Sequence, residues 1–131
     1  MRHISFALTT DQVRRSFATR RIEKDVTRRL GWKNARPGWQ LCACEKCQGL
    51  GKGGKVVRLG VIELVSVRLE PLEAMLIGPA YGAREVVREG FPKMTAAEFV
   101  DMFCEHNRCS RDSHVTRLEF RYLWHLPSSG I

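Results

Sequence analysis

The stretch from Val56 to Leu69 limits the folds open to this chain more than any other. Val57, Leu59, Val61, Val65, Val67 and Leu69 share one parity, and Val56, Ile62 and Leu64 share the other. Successive side chains of a strand point to opposite faces, so a strand here is apolar on both sides. Such a strand suits a barrel, or a sheet covered by helices. Gly60 permits a bend or bulge within it, and Pro71 ends it.

The rest of the chain supplies elements to surround that strand. His3 to Leu8 reads as a first strand with Ile4, Phe6 and Leu8 on one face. Thr9-Thr10-Asp11 offers N-caps for a helix running to about Thr19. Val13, Phe17 and Ala18 form its buried stripe, and Arg14, Arg15, Arg20 and Arg21 project elsewhere. Arg36-Pro37-Gly38 signals a turn, and Leu41 to Cys44 a short strand. Cys47 to Lys55 reads as a hairpin connection; its Gly51-Lys52-Gly53-Gly54 lacks the strand-then-helix context of a phosphate-binding loop. Pro71 to Met75 suggests a turn of helix, and Gly82 to Arg88 a helix ended by Gly90. Thr95-x-x-Glu98 is a capping box opening a helix with Phe99, Met102 and Phe103 on its apolar side. From Val115 to Trp124, Leu118, Phe120, Tyr122 and Trp124 alternate with Arg117, Glu119, Arg121 and Leu123, the pattern of a last strand. The expectation is an α+β fold: a small mixed β-barrel over residues 1–126 with short helices at its rim, and a frayed tail at 127–131.

Charge narrows the function. The net charge of +8 favours a polyanionic partner. The positive groups cluster: Arg14, Arg15, Arg20, Arg21, Lys24, Arg28, Arg29, Lys33 and Arg36 face only Glu23 and Asp25 in the same span. No apolar run approaches a membrane span and no signal-peptide pattern opens the chain. These features point to a cytoplasmic protein whose five cysteines are thiols or metal ligands rather than bridges. Within the basic run, Lys24-Asp25-Val26-Thr27-Arg28-Arg29 suits a polar or anionic ligand. On an extended segment Thr27 and Arg29 share one face and Arg28 takes the other, with Lys24 reaching in from the preceding turn.

That stretch carries a resemblance to the ASCH domain family of the PUA-like superfamily. The family hallmark, Gly-x-Lys-x-x-Thr-x-Arg after the first helix, is similar to Lys24-x-x-Thr27-x-Arg29, with Ile22 in the place of the glycine. Lys33 to Trp39, Arg58-Leu59-Gly60-Val61-Ile62, Glu89-Gly90-Phe91 and Val115 to Phe120 extend the likeness over nearly the whole chain. It implies a PUA-like barrel whose cleft takes RNA, single-stranded nucleic acid or a nucleoside, without a cofactor. Arg21, Lys24, Thr27, Arg28, Arg29 and Trp32 are then the binding residues, Trp32 by stacking on a base. Trp39 is expected in the core or rim.

Some small ASCH proteins hydrolyse the acetyl amide of 4-acetylcytidine with a lysine, a threonine and a glutamate. By resemblance these correspond to Lys24, Thr27 and Glu89. Lys24, its pKa lowered by burial and neighbouring cations, would take the proton of Thr27. Glu89 would position water or protonate the departing amine, and Arg29 would hold an oxygen. Glu23 and Asp25 would oppose this by neutralising Lys24. A nuclease-like activity on RNA, or a basic adaptor docking on an acidic protein surface, are the other readings. Cys42-x-Cys44-x-x-Cys47 and Cys104-x-His106-x-x-Cys109 raise zinc. Yet Cys42 and Cys44 share a strand parity and Cys104 continues a helix stripe, as small buried hydrophobes do, so no metal site is assigned. His3, His114 and His125 read as surface or strand-end residues.

Overall fold

The structure, a computed structural model, describes residues 1–46 and 54–126. The chain runs β1 (Arg2–Ser5), α1 (Thr10–Thr19), β2 (Val26–Arg29), β3 (Gln40–Cys44), β4 (Arg58–Pro71), α2 (Ala74–Ile77), α3 (Pro79–Arg88), α4 (Ala96–Asn107) and β5 (His114–Tyr122). The strands form one sheet in the order β1-β3-β4-β5-β2. β1 and β3 are parallel and the other pairs antiparallel. The fold is therefore mixed α+β, with the curled half-barrel sheet at its centre. β1 and β2 are its edges, and α1 carries the chain from one to the other. The Arg29 guanidinium of β2 donates to the Ser5 carbonyl of β1, so a side chain bridges the two edges.

β4 is the long strand expected, but it does not keep one apolar parity. Its register on β5 shifts between Leu64 and Ser66, leaving Val65 as the extra residue of a bulge. Before the bulge Ile62 and Leu64 face the main core; beyond it Val67 takes that side and Arg68 and Glu70 take the other. Val57, Val65 and Leu69 are accordingly exposed. Pro71 lies inside the strand's last pairing, opposite His114, rather than beyond it.

Two apolar clusters result. One lies inside the curl, where Ile4, Phe6, Val13, Leu41, Ile62, Leu64, Leu118, Phe120 and Tyr122 meet. The other joins α2, α3 and α4 to the start of β5 through Leu72, Met75, Val86, Phe99, Val100, Phe103 and Val115. The Thr95–Glu98 capping box is present in both directions and fixes the start of α4. Arg36 to Trp39 forms the expected turn, with Gly38 at φ +93° and the Trp39 amide donating to the Arg36 carbonyl.

Three local expectations differ. β1 stops at Ser5 and the chain turns, so Leu8 is exposed. Ser16, not Ala18, is buried on α1: its hydroxyl donates to the Gln12 carbonyl and accepts from the Glu23 amide, which satisfies it locally. Thr9 precedes α1 without a side-chain cap, and the neighbouring Thr10 hydroxyl donates to the Phe6 carbonyl. The turn expected at Gly51-Lys52-Gly53-Gly54 and the tail at 127–131 lie outside the described residues, save Gly54 itself. No helix of the described residues is long and apolar enough to cross a membrane.

α3 begins at Pro79, with proline in the first turn where its missing N–H costs nothing, so Gly82 falls inside the helix rather than at its start. A Cβ there would meet the Met75 carbonyl oxygen and lie 2.8 Å from the Ala96 Cβ. The glycine thus sets how closely α2, α3 and α4 approach. Gly82→Ala is expected to destabilise the fold by about 1–3 kcal/mol through overpacking, read as a lower midpoint in urea unfolding.

Candidate functional site

A cleft of about 130 Å³ opens between β2, the turn after β1 and α4. Lys24, Thr27, Arg29 and Glu89 all line it. Thr27 and Arg29 share a face of β2, opposite Leu118 and Thr116 of β5. Lys24 precedes the strand and is fixed by the Tyr122 hydroxyl, which donates to its carbonyl at 2.6 Å. Glu89 caps the C-terminal end of α3, and Gly90 at φ +99° turns the chain away behind it. The far wall is supplied by Phe99, Met102, Phe103, His106 and Asn107 of α4.

The polar contacts in this cleft are specific. The Lys24 ammonium donates to the Glu89 carbonyl at 2.6 Å and to its Oε1 at 3.1 Å. A cation at the carbonyl end of a helix is also favoured by the helix dipole. Glu89 Oε2 accepts from Arg28 at 2.9 Å. Arg29 Nε donates to Thr27 Oγ1 at 3.0 Å. Lys24 is only 2% exposed, and its desolvation holds its pKa below the ordinary lysine value. Glu89 pulls in the opposite direction, while Arg29 and Arg28 add to the lowering. The acidic neighbours in sequence do not neutralise Lys24, because Glu23 pairs with Arg15 and Asp25 with Arg88.

Arg28 points to the opposite face, as alternation requires, and is fully enclosed there. In register it lies beside Arg117 of β5, which lies beside Arg68 of β4, so three arginines form one row across the sheet. Glu85, Glu89 and Glu70 face that row. Arg28 and Arg117 both donate to Glu85, and Arg68 donates to Glu70. The Tyr81 hydroxyl donates to Glu70 at 2.8 Å and accepts from Arg68 and Arg28. Burial alone would raise the Glu85 pKa, but the two guanidinium groups reverse this and hold it at about 2. Arg28 thus lines the cleft while its guanidinium is engaged in an ion network with Glu85, Glu89 and Tyr81.

Neither Arg21 nor Trp32 joins the four cleft residues. Arg21 is exposed beyond the end of α1. Trp32 lines a separate hollow with Arg2, His3, Ala35 and Trp39, where the Arg2 guanidinium sits 4.2 Å from the Trp39 ring. Trp39 packs against the main core, as its expected rim position requires. Conversely, Arg117, Glu85, Glu70 and Tyr81 form a connected set that no spacing in the sequence announces. His106, considered only as a metal ligand, lines the cleft instead.

The zinc grouping considered from the cysteine spacing does not assemble among the described residues, and Cys47 lies outside them. Cys104 and Cys109 pack with the helical cluster, the Cys109 amide donating to the Cys104 carbonyl. Burial and the neighbouring Cys109 push the Cys104 thiol pKa up. The group of three potential ligands that does converge among the described residues is His3, Cys42 and Cys44.

No family model and no curated protein matches the sequence. Among solved structures there is a likeness to protein EF3133 from Enterococcus faecalis V583, described as family-model DUF984. The TM-score is 0.49 at 12% identity, over 85% of this chain and 69% of that one. So distant a likeness has no bearing on function.

Proposed function

We propose that the cleft binds RNA or a modified nucleoside in the manner of an ASCH domain. The observation that carries this reading is the meeting of Lys24, Thr27 and Arg29 with Glu89 in one cleft, although Glu89 lies 65 positions from Lys24. These are the positions that the ASCH resemblance singles out. Arg29, held by Thr27 and the Ser5 carbonyl, brings a positive charge to the cleft that suits a carbonyl or phosphate oxygen, Thr27 brings a hydroxyl, and Phe6, Phe99 and Phe103 give apolar wall for a base. The exposed Arg14, Arg15, Arg20 and Arg21 favour a polyanion by long-range attraction.

The test is a titration with cytidine, 4-acetylcytidine and a short single-stranded RNA, followed by chemical shifts. Shifts are expected at Thr27, Arg29 and His106. Arg29→Ala is expected to weaken binding at least about tenfold, the value of one charge-assisted hydrogen bond. Affinity for the RNA is expected to fall as salt rises. Shifts confined to the hollow at Trp32 and Trp39 would overturn the assignment.

Lys24 favours a second reading, amide hydrolysis in the same cleft. Its burial lowers the pKa that a general base needs lowered. The base must be neutral, so turnover of 4-acetylcytidine would rise with pH through the lowered lysine pKa and would disappear in Lys24→Ala. Turnover equal to that of the variant would remove this reading and leave binding intact.

A further inference from the structure

We propose that His3, Cys42 and Cys44 form a binding site for one thiophilic divalent cation, best suited to zinc. The site lies on the face of the sheet away from the main core. Leu41 and Ala43 of β3 enter that core, so the intervening Cys42 and the following Cys44 point to the other side. His3 of the neighbouring parallel strand is in direct register with Cys42. Three potential ligands thus come from two adjacent strands, and their donor atoms all lie within 4.8 Å of one another.

The spacing of the sulfurs is the decisive detail. Residues two apart on a strand are separated by roughly 6.6 Å along the backbone. Here the two Sγ atoms are 3.8 Å apart, beside a register shift between Ala43 and Cys44. Two thiolates bound at about 2.3 Å to a tetrahedral ion stand about 3.8 Å from each other. A disulfide would need about 2.05 Å. The separation therefore matches one edge of a coordination tetrahedron and is too long for a bridge. Thiolate and imidazole together select zinc over magnesium or calcium, which take oxygen ligands.

Binding is written as one Zn²⁺ plus two thiols giving a zinc dithiolate and two released protons, with no change of oxidation state. The dithiolate–metal unit is neutral as a whole, which suits the complete burial of both cysteines. His3 is partly exposed and gives the ion its way in. Two thiolates and one imidazole leave a fourth position for water or another donor. Cys47 lies outside the described residues and is not counted among the ligands.

The experiment strips the purified full chain with a chelator and titrates it with Co²⁺. One equivalent is expected to give the near-ultraviolet thiolate-to-cobalt band and the visible bands of a tetrahedral site, both lost on adding Zn²⁺. Cys42→Ser and Cys44→Ser are each expected to abolish the charge-transfer band, whereas Cys104→Ser and Cys109→Ser leave it unchanged. His3→Gln, at a partly exposed position that should not impair folding, is expected to weaken cobalt binding at least tenfold. An octahedral spectrum without charge transfer would overturn the proposal. So would a band that survives both Cys42→Ser and Cys44→Ser, or full affinity in His3→Gln.

Discussion

Glu85→Ala will lower the free energy of unfolding by about 3–5 kcal/mol, because it leaves two buried guanidinium groups without their shared partner. Arg28 and Arg117 are each almost inaccessible to water, and both donate to this one carboxylate. Arg28 retains Glu89 and Glu70, but among the described residues Arg117 keeps only Glu119, a longer and more exposed pair. Against a typical total stability of about 5–15 kcal/mol, the loss is large. It corresponds to a fall of roughly 10–20 °C in Tm for a domain of this size. Urea unfolding measures it, and a variant within experimental error of wild type would show that the network contributes little net stability.

The same residue sets an acid limit. Glu85 titrates at about 2 in the fold against 4.5 as an unperturbed carboxylate. A depressed carboxyl pKa gives stability that is fully present above the unfolded value and lost as pH falls through the folded one. The gap between wild type and Glu85→Ala should therefore be constant above about 4.5 and shrink towards pH 2. A gap independent of pH over that window would mean that the carboxylate's charge is not what matters.

Phe99→Ala is expected to cost a similar amount, about 3–5 kcal/mol, by a different route. Phe99 is 2% exposed, its ring centroid 5.9 Å from that of Phe91 and 6.2 Å from that of Phe103. Truncation leaves a cavity that three elements must collapse to fill, and the capping box holds the start of α4 in place while they do. Phe99 also walls the cleft, so the same change should alter ligand affinity. Phe99→Leu, which keeps most of the volume, should recover much of the stability. Equal losses in the two variants would argue against a cavity as the cause.

Features held by neighbours in sequence were legible before any coordinates. The capping box needs only Thr95 and Glu98, and the opposed faces of Thr27 and Arg28 follow from alternation along β2. The clustering of Lys24 with Glu89 was legible only through the ASCH resemblance, since no spacing rule joins positions so far apart. The ion network was not legible. A charged residue in an alternating strand reads as the wet side, and the partners that make Arg117 and Arg28 dry lie 32 and 57 positions away in α3. The proposed metal ligands show the same limit. His3 meets Cys42 through the parallel pairing of β1 with β3, which no local spacing encodes.

The unpaired Val65 has a wider consequence. Were the chain one residue shorter at that point, everything beyond it on β4 would turn over. Arg68 and Glu70 would be driven into hydrocarbon, and Val67 would be pressed against carboxylates. One supernumerary valine thus allows a single ribbon to serve an oily interior at its first end and a saline one at its second.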